Sequence, residues 1–129
     1  MTIFSKIING EIPCYKVAEN DQFFAFLDIR PMTKGHTLVV PKVETDYLFD
    51  LPTDMLAEMM VFAKQVAVAI KATVPCKRVG VAVLGMEVPH AHIHLVPLNK
   101  ESDLSFLNSP VELSSEEMAG IASAIAAAM

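Results

Sequence analysis

The chain has 129 residues, 53% of them hydrophobic and 19% charged, with a formal net charge of −5. This length suits one domain, and the composition is typical of a globular protein and not of a disordered one. The acidic balance argues against nucleic-acid binding, which needs a basic surface, although a mononucleotide needs only local hydrogen-bond donors. The sequence shows no apolar run long enough for a membrane span and no N-terminal secretion signal, so we expect a cytoplasmic protein.

The hydrophobic pattern predicts an α+β fold with a five-stranded, mostly antiparallel sheet. Strands are expected at residues 15–18, 23–28, 36–40 and 79–84, and in the stretch 90–97. Most links between them are short, which favours antiparallel neighbours and places the helices on one face of the sheet. The whole chain, residues 1–129, is expected to form a single domain, with a C-terminal extension from about residue 99.

Three helices are expected. A short one covers residues 3–9, and a long one opens after Pro52, with Thr53 as its N-cap, and ends at Pro75. Ser114 and Glu117 form a capping box that predicts a C-terminal helix. The long helix has an apolar stripe, whose methionines we interpret as core residues: Leu56, Met59, Met60, Ala63, Val66, Ala67 and Ile70.

The most informative stretch is His-Ala-His-Ile-His-Leu-Val-Pro, which holds three of the four histidines of the chain. His90, His92 and His94 alternate with apolar residues, and strict alternation is the period of a strand. All three imidazoles should therefore leave one face while the apolar side chains enter the core.

Three interpretations compete for this row of imidazoles. It could be the polar face of an ordinary strand, although histidine is uncommon there. It could hold a metal ion, but the outer pair of a regular strand would lie roughly 13 Å apart, too far for one ion. It could bind phosphate, because imidazoles supply a nucleophile, a proton donor and hydrogen bonds to oxyanions. We favour the phosphate site.

This triad resembles the signature of the histidine triad (HIT) superfamily of nucleotidyl hydrolases and transferases, with the Hint branch most similar. Four further stretches resemble that family in the same order along the chain: Ile3–Ile8, Gly10–Pro13, Ala25–Ile29 and Gly35–Lys42. The resemblance implies a five-stranded meander, a homodimer whose two sheets form one of ten strands, and phosphoramidase-like chemistry on a purine nucleotide.

The resemblance also implies roles for the four histidines. His92 would be the nucleophile that forms a nucleotidyl-histidine, and His94 would stabilise charge on the phosphate. His90 would fix the tautomer and orientation of its neighbours. His36 would assist phosphate binding or orient the triad, although it could equally be a satisfied core histidine.

A nucleoside site is implied beside the triad. Asp28 would accept hydrogen bonds from the ribose hydroxyls, although it could instead cap the turn before Arg30. An apolar slot for the base would be formed by residues that could also serve simply as core: Ile3, Phe4, Ile7, Phe26 and Ile29.

The sequence departs from the family at several points, among them Val83, where many Hint members have Asn. The stretch from Gly85 to His90 lacks the Gln and Ser or Thr that contact the leaving group, so Glu87 is a possible substitute proton donor. Thr2 and Ser5 occupy the places of the cysteines that bind structural zinc in some bacterial members. We therefore expect no metal and no cofactor.

Two function classes follow. The first is an enzyme that cleaves nucleoside 5′-monophosphate derivatives such as phosphoramidates and adenylylated amines. The second is a nucleotide-binding protein with little turnover. A dinucleoside polyphosphate hydrolase and a metal-binding module are further alternatives. No internal repeat, basic stripe or Gly-rich phosphate loop points elsewhere.

Overall fold

A five-stranded antiparallel sheet organises the chain, and the computed structural model describes residues 1–129. The strands are β1 (Lys16–Glu19), β2 (Phe23–Leu27), β3 (Thr37–Pro41), β4 (Arg78–Ala82) and β5 (Ile93–Leu98). The helices are α1 (Ile3–Ile8), α2 (Thr53–Thr73) and α3 (Ser115–Ala127). The strand order β1-β2-β3-β5-β4 leaves β1 and β4 at the edges, so the predicted α+β class and sheet are confirmed.

The two faces of the sheet pack against different partners because successive side chains alternate across a strand. Ala25, Leu27, Val39 and Ile93 lie in the main core with α2 and α3. The other face carries a smaller cluster, in which Phe4 of α1 packs on residues of β2 and β3: Phe24, Phe26, Leu38 and Val40. The expectation that all helices share one face is therefore wrong for α1.

Helix α2 buries a stripe that differs in part from the predicted one. Met59, Ala63, Val66 and Ile70 are buried as expected, but Met60 is 47% exposed. Phe62 and Ala69 complete the buried face instead. The helix begins at Thr53, and Pro52 occupies the N-cap position without a side-chain hydrogen bond, so the predicted Thr53 cap is wrong. No helix of the protein is long and apolar enough to cross a bilayer.

Helix α3 begins as the sequence predicts. The Ser114 hydroxyl accepts from the Glu117 backbone N–H, and the Glu117 carboxylate accepts from the Ser114 backbone N–H. Two satisfied donors at this end stabilise the first turn. Its buried residues, among them Ile121 and Ile125, join the main core with α2, so this helix is part of the domain's packing.

The histidine-rich stretch is a strand only in its second half. β5 begins at Ile93, so His94 lies within the strand, whereas His90 and His92 precede it. β4 ends at Ala82 and not at Leu84. The two strands pair antiparallel as predicted, with Ala82 opposite His94, but the connection between them is a longer loop over residues 83–92.

Candidate active site

Three of the imidazoles and Phe4 lie in a continuous row on the smaller face of the sheet. His94 lies opposite Leu38 of β3 in the antiparallel pairing, which fixes its position along the strand. The ring centroids of His92 and His94 are 5.0 Å apart, and those of His36 and His94 are 5.2 Å apart. Phe4 packs edge-on against His92 at 5.1 Å. The alternation of the triad with Ala91, Ile93 and Leu95 holds, because those three residues are buried in the main core.

The hydrogen bonds of His92 define its tautomer. Its Nδ1 lies 2.7 Å from the backbone carbonyl oxygen of His90. A carbonyl oxygen only accepts, so Nδ1 carries the proton and donates it. In the neutral ring, Nε2 is then the atom with the free lone pair. This nitrogen has no protein partner, and the His92 side chain lines the cavity described below.

A second chain of hydrogen bonds defines His36 and His94. The Met32 backbone N–H donates to Nδ1 of His36 at 3.0 Å, so this nitrogen bears no proton. His36 therefore carries its proton on Nε2 and donates it to Nδ1 of His94, 2.9 Å away. The remaining His94 nitrogen, Nε2, must then carry a proton. His94 is left as a hydrogen-bond donor beside the lone pair of His92.

Burial keeps these two rings neutral. It lowers the pKa of His36 from 6.5 to about 4. Burial also lowers the pKa of His94 from 6.5 to about 4, assisted by the nearby His36 and His92 and opposed by Asp28. The direction agrees with the hydrogen bonds, since a protonated His36 could not accept the Met32 N–H.

His90 lies fully buried behind the row. Its Nε2 donates to the carbonyl oxygen of Pro41 at 2.7 Å, and its Nδ1 lies 2.7 Å from the Thr2 hydroxyl. Burial lowers the pKa of His90, and the Pro41 hydrogen bond and the Glu44 carboxylate oppose that shift. His90 and His36 do not line the cavity, but each is hydrogen-bonded to one of the two histidines that do.

A cavity of about 360 Å³ opens beside His92 and His94. Every residue expected for the nucleoside lies on its wall, as does Glu87: Ile3, Phe4, Ile7, Phe26, Asp28 and Ile29. Ile29 is 75% exposed and so lies at the rim. An apolar pocket with a few polar groups at one end is the common form of a small-molecule site.

Each carboxylate oxygen of Asp28 has a contact of its own. Oδ1 accepts from the Arg30 backbone N–H at 2.8 Å, which is the turn cap considered as an alternative role. Oδ2 lies 3.6 Å from Nε2 of His36. Burial raises the pKa of this carboxyl, while the Arg30 N–H, the nearby imidazoles and the Arg30 charge oppose the rise. The carboxylate can cap the turn and still face the cavity.

Sequence reasoning missed several residues of the wall. Phe106, from the loop after β5, packs edge-on against His94 with 5.0 Å between ring centroids. Leu84 and Met86 of the β4–β5 loop face the same cavity, as do Cys14 and Leu38. Phe106 is the one aromatic residue between β5 and α3, which was the signal available for it. Leu38 could have been found from its alternation with the core residues Thr37 and Val39.

Two groups bear on metal binding. Ligand atoms of Asp28, His36 and His94 all lie within 4.8 Å of one another. However, a proton shared between His36 and His94 already occupies two of those atoms, and an ion would have to displace it. At the family's zinc position, Thr2 and Ser5 offer hydroxyls where zinc prefers thiolates or imidazoles, so these residues do not fit that ion.

Comparison with known proteins identifies the family of this chain. The HIT domain family model matches residues 9–101. The yeast (Saccharomyces cerevisiae) adenosine 5′-monophosphoramidase HNT1 is 37% identical over 111 residues, which are 85% of this chain and 70% of that protein. The fold and the row of histidines thus define a nucleotide-binding protein of the histidine triad type. The chain belongs to the HIT family.

Solved structures resemble the whole chain. A Hit-like protein of Bartonella henselae superposes with a TM-score of 0.84 at 30% identity, covering 99% of this chain and 96% of its own. A hypothetical histidine triad nucleotide-binding protein of Sulfolobus tokodaii gives 0.82 at 29% identity, covering 97% and 89%. The likeness therefore includes the segment after residue 101, which the family model does not match.

Proposed function

We propose that the protein is a nucleotide-binding hydrolase that cleaves the P–N bond of purine nucleoside 5′-phosphoramidates at the α-phosphate. One observation carries the proposal: His92 offers an unpartnered Nε2 at the cavity wall, directly beside a proton-donating His94. The similarity to a monophosphoramidase supports the same substrate class. The nearby apolar wall suits a purine, and Asp28 suits the ribose.

In the first step, the lone pair of His92 Nε2 attacks phosphorus and the P–N bond breaks. The leaving nitrogen takes a proton and departs as the free amine. Glu87, on the cavity wall, is the proposed donor of that proton. His94 Nε2–H donates to a phosphate oxygen as negative charge develops there. The His90 carbonyl stabilises the cationic nucleotidyl-imidazolium through the Nδ1–H of His92.

In the second step, water displaces His92 from the phosphorus. Its oxygen attacks phosphorus from the side the amine has left, and the bond from phosphorus to Nε2 breaks. The electron pair returns to His92, one water proton passes to the Glu87 carboxylate, and the nucleoside monophosphate leaves. Both steps use the same groups in reverse order, which a double displacement requires.

Turnover of adenosine 5′-phosphoramidate tests this function against the binding-only alternative. We expect release of AMP and ammonia in equal amounts, and inhibition by AMP that competes with substrate. Tight AMP binding with no product release would favour the binding protein. Cleavage confined to dinucleoside polyphosphates would favour a dinucleoside polyphosphate hydrolase.

Replacing Asp28 with asparagine should weaken AMP binding by about 1–3 kcal/mol. Asparagine keeps an oxygen for the Arg30 N–H but loses the charge that would accept from the ribose hydroxyls. Calorimetry with AMP and with 2′-deoxy-AMP gives the measurement. The wild type should prefer AMP, whereas Asp28→Asn should bind the two nucleotides nearly equally. An unchanged AMP affinity would restrict Asp28 to its turn cap.

We also propose that two copies pair along β4 into a ten-stranded sheet. β4 is an edge strand, and an uncovered edge offers unpaired backbone groups. Val81 of β4 is 51% exposed, and Val61 and Val68 of the adjacent α2 are 58% and 61% exposed. Burying this apolar surface would stabilise a dimer.

Light scattering should therefore give twice the chain mass of 14.1 kDa. Val81→Lys should shift the protein toward the monomer, because a charge at the edge opposes strand pairing. Val111→Lys changes a comparably exposed valine outside this surface and should leave the mass unchanged. A wild-type monomer at micromolar concentration would contradict the assembly.

A further inference from the structure

A cluster of hydrogen bonds joins the start of α1 to the back of the histidine row. Its members come from three separate parts of the chain: Thr2 and Ser5 at the N-terminus, Glu44 after β3, and His90 before β5. None of them except His90 belongs to the machinery described so far. No member of the cluster is part of the cavity wall.

The direction of each hydrogen bond follows from the groups involved. His90 donates from Nε2 to the Pro41 carbonyl, so in the neutral ring Nδ1 can only accept. The Thr2 hydroxyl therefore donates to Nδ1 at 2.7 Å. The same hydroxyl oxygen accepts from the Ser5 backbone N–H at 3.1 Å, as the N-cap of α1. Thr2 thus links the helix cap to a buried imidazole.

Glu44 is hydrogen-bonded to both Thr2 and Ser5. One of its oxygens accepts from the Thr2 backbone N–H and from the Ser5 hydroxyl, the latter at 2.9 Å. These hydrogen bonds lower the pKa of the Glu44 carboxyl, so it remains an acceptor at neutral pH. Glu44 therefore ties the first turn of α1 to the segment that follows β3.

Two consequences reach His92. His90, held at both ring nitrogens, presents the carbonyl oxygen that receives Nδ1–H of His92. Phe4, two residues after Thr2, packs against the His92 ring and against the His90 ring, with centroids 5.1 and 5.7 Å apart. A small displacement of α1 would therefore disturb both the hydrogen bond and the packing that orient the nucleophile.

We propose that Thr2, held by Ser5 and Glu44, is a positioning residue that fixes His90 and through it the tautomer and orientation of His92. The proposal rests on the proposed function for its kinetic consequence, but its structural part can be measured without turnover. This positioning role differs from the role of a helix cap. A cap needs only an acceptor for the Ser5 N–H, whereas positioning His90 needs a hydroxyl proton.

Three substitutions at Thr2 distinguish the two roles. Serine keeps both the cap and the donor, aspartate keeps a good cap but has no proton to donate at neutral pH, and valine has neither at nearly the same size. We expect Thr2→Ser to match the wild type. Thr2→Val and Thr2→Asp should lower kcat for adenosine 5′-phosphoramidate about tenfold or more, since small misalignments of a nucleophile are costly. KM should change less than twofold.

Glu44→Ala tests the outer link, with Glu58→Ala on the exposed side of α2 as its control. We expect a severalfold fall in kcat for Glu44→Ala alone. Thr53→Val, at the exposed start of α2, is the matched control for Thr2→Val.

Imidazole nitrogen NMR supplies the readout that needs no turnover. In the wild type and Thr2→Ser, His92 should show a single Nδ1–H tautomer, and Thr2→Val and Thr2→Asp should show a mixture of tautomers. The proposal is overturned if Thr2→Asp keeps wild-type kcat and a single His92 tautomer, which is the result of a cap alone. If the wild type cleaves no phosphoramidate, the proposed function fails, and the His92 tautomers of these variants still decide the positioning role.

Discussion

His92→Ala should abolish turnover of adenosine 5′-phosphoramidate while AMP still binds. A covalent intermediate needs one nitrogen in line with the leaving amine, and the hydrogen bond to His90 leaves only Nε2 of His92 available. Binding is spread over the apolar wall, Asp28 and His94, so losing one ring should reduce the affinity only modestly. Steady-state kinetics and calorimetry on the same preparation measure both effects.

His94→Ala provides the graded comparison. It removes a hydrogen-bond donor to phosphate and leaves the bond-forming atom, so it should slow the reaction without stopping it. Acid-labile label from a radioactive substrate should appear on His92 in rapidly quenched wild-type reactions. Full activity in His92→Ala, or label on another residue, would refute the double displacement through this histidine.

The free energy of unfolding should fall as the pH decreases from about 7 to about 5. The pKa values of His36 and His94 are near 4 in the folded protein but 6.5 when the groups are free. Between these values the unfolded chain binds more protons than the folded chain, so acid favours unfolding. Each histidine should contribute about 2 kcal/mol of loss over this range. The stability is complete above the unfolded pKa and lost as the pH approaches 4.

Urea denaturation at several pH values measures this loss. His36→Asn is the matched variant, since its amide oxygen can replace Nδ1 as the acceptor for the Met32 N–H but the side chain does not titrate. Its dependence on pH should be about half as steep. Asp28, whose pKa burial raises, acts in the opposite direction. A wild-type stability that stays flat from pH 7 to 5 would contradict neutral, buried imidazoles.

Patterns that depend on neighbouring residues were predictable from the sequence. The capping box of Ser114 and Glu117, most of the buried stripe of α2 and the five strands follow from local hydrogen bonding and from periods of 3.6 and 2. The grouping of the imidazoles was also predictable from the sequence, because His90, His92 and His94 alternate with apolar residues that enter the core. Boundaries were less certain: residues before Ile93 follow the alternation without joining the sheet.

The tertiary structure alone decided how the imidazoles are protonated and supported. The proton on His92 depends on the local His90 carbonyl, but those on His94 and His90 depend on His36 and Pro41, which are 58 and 49 residues away. Thr2 reaches His90 across 88 residues, and Phe106 reaches the site from a loop with no regular pattern. Hydrogen bonds and ring contacts of this kind require the chain to be folded, because a sequence pattern records only the spacing of near neighbours. The sequence therefore specified which groups are present, and the fold determined how each imidazole is protonated and left Nε2 of His92 without a protein partner.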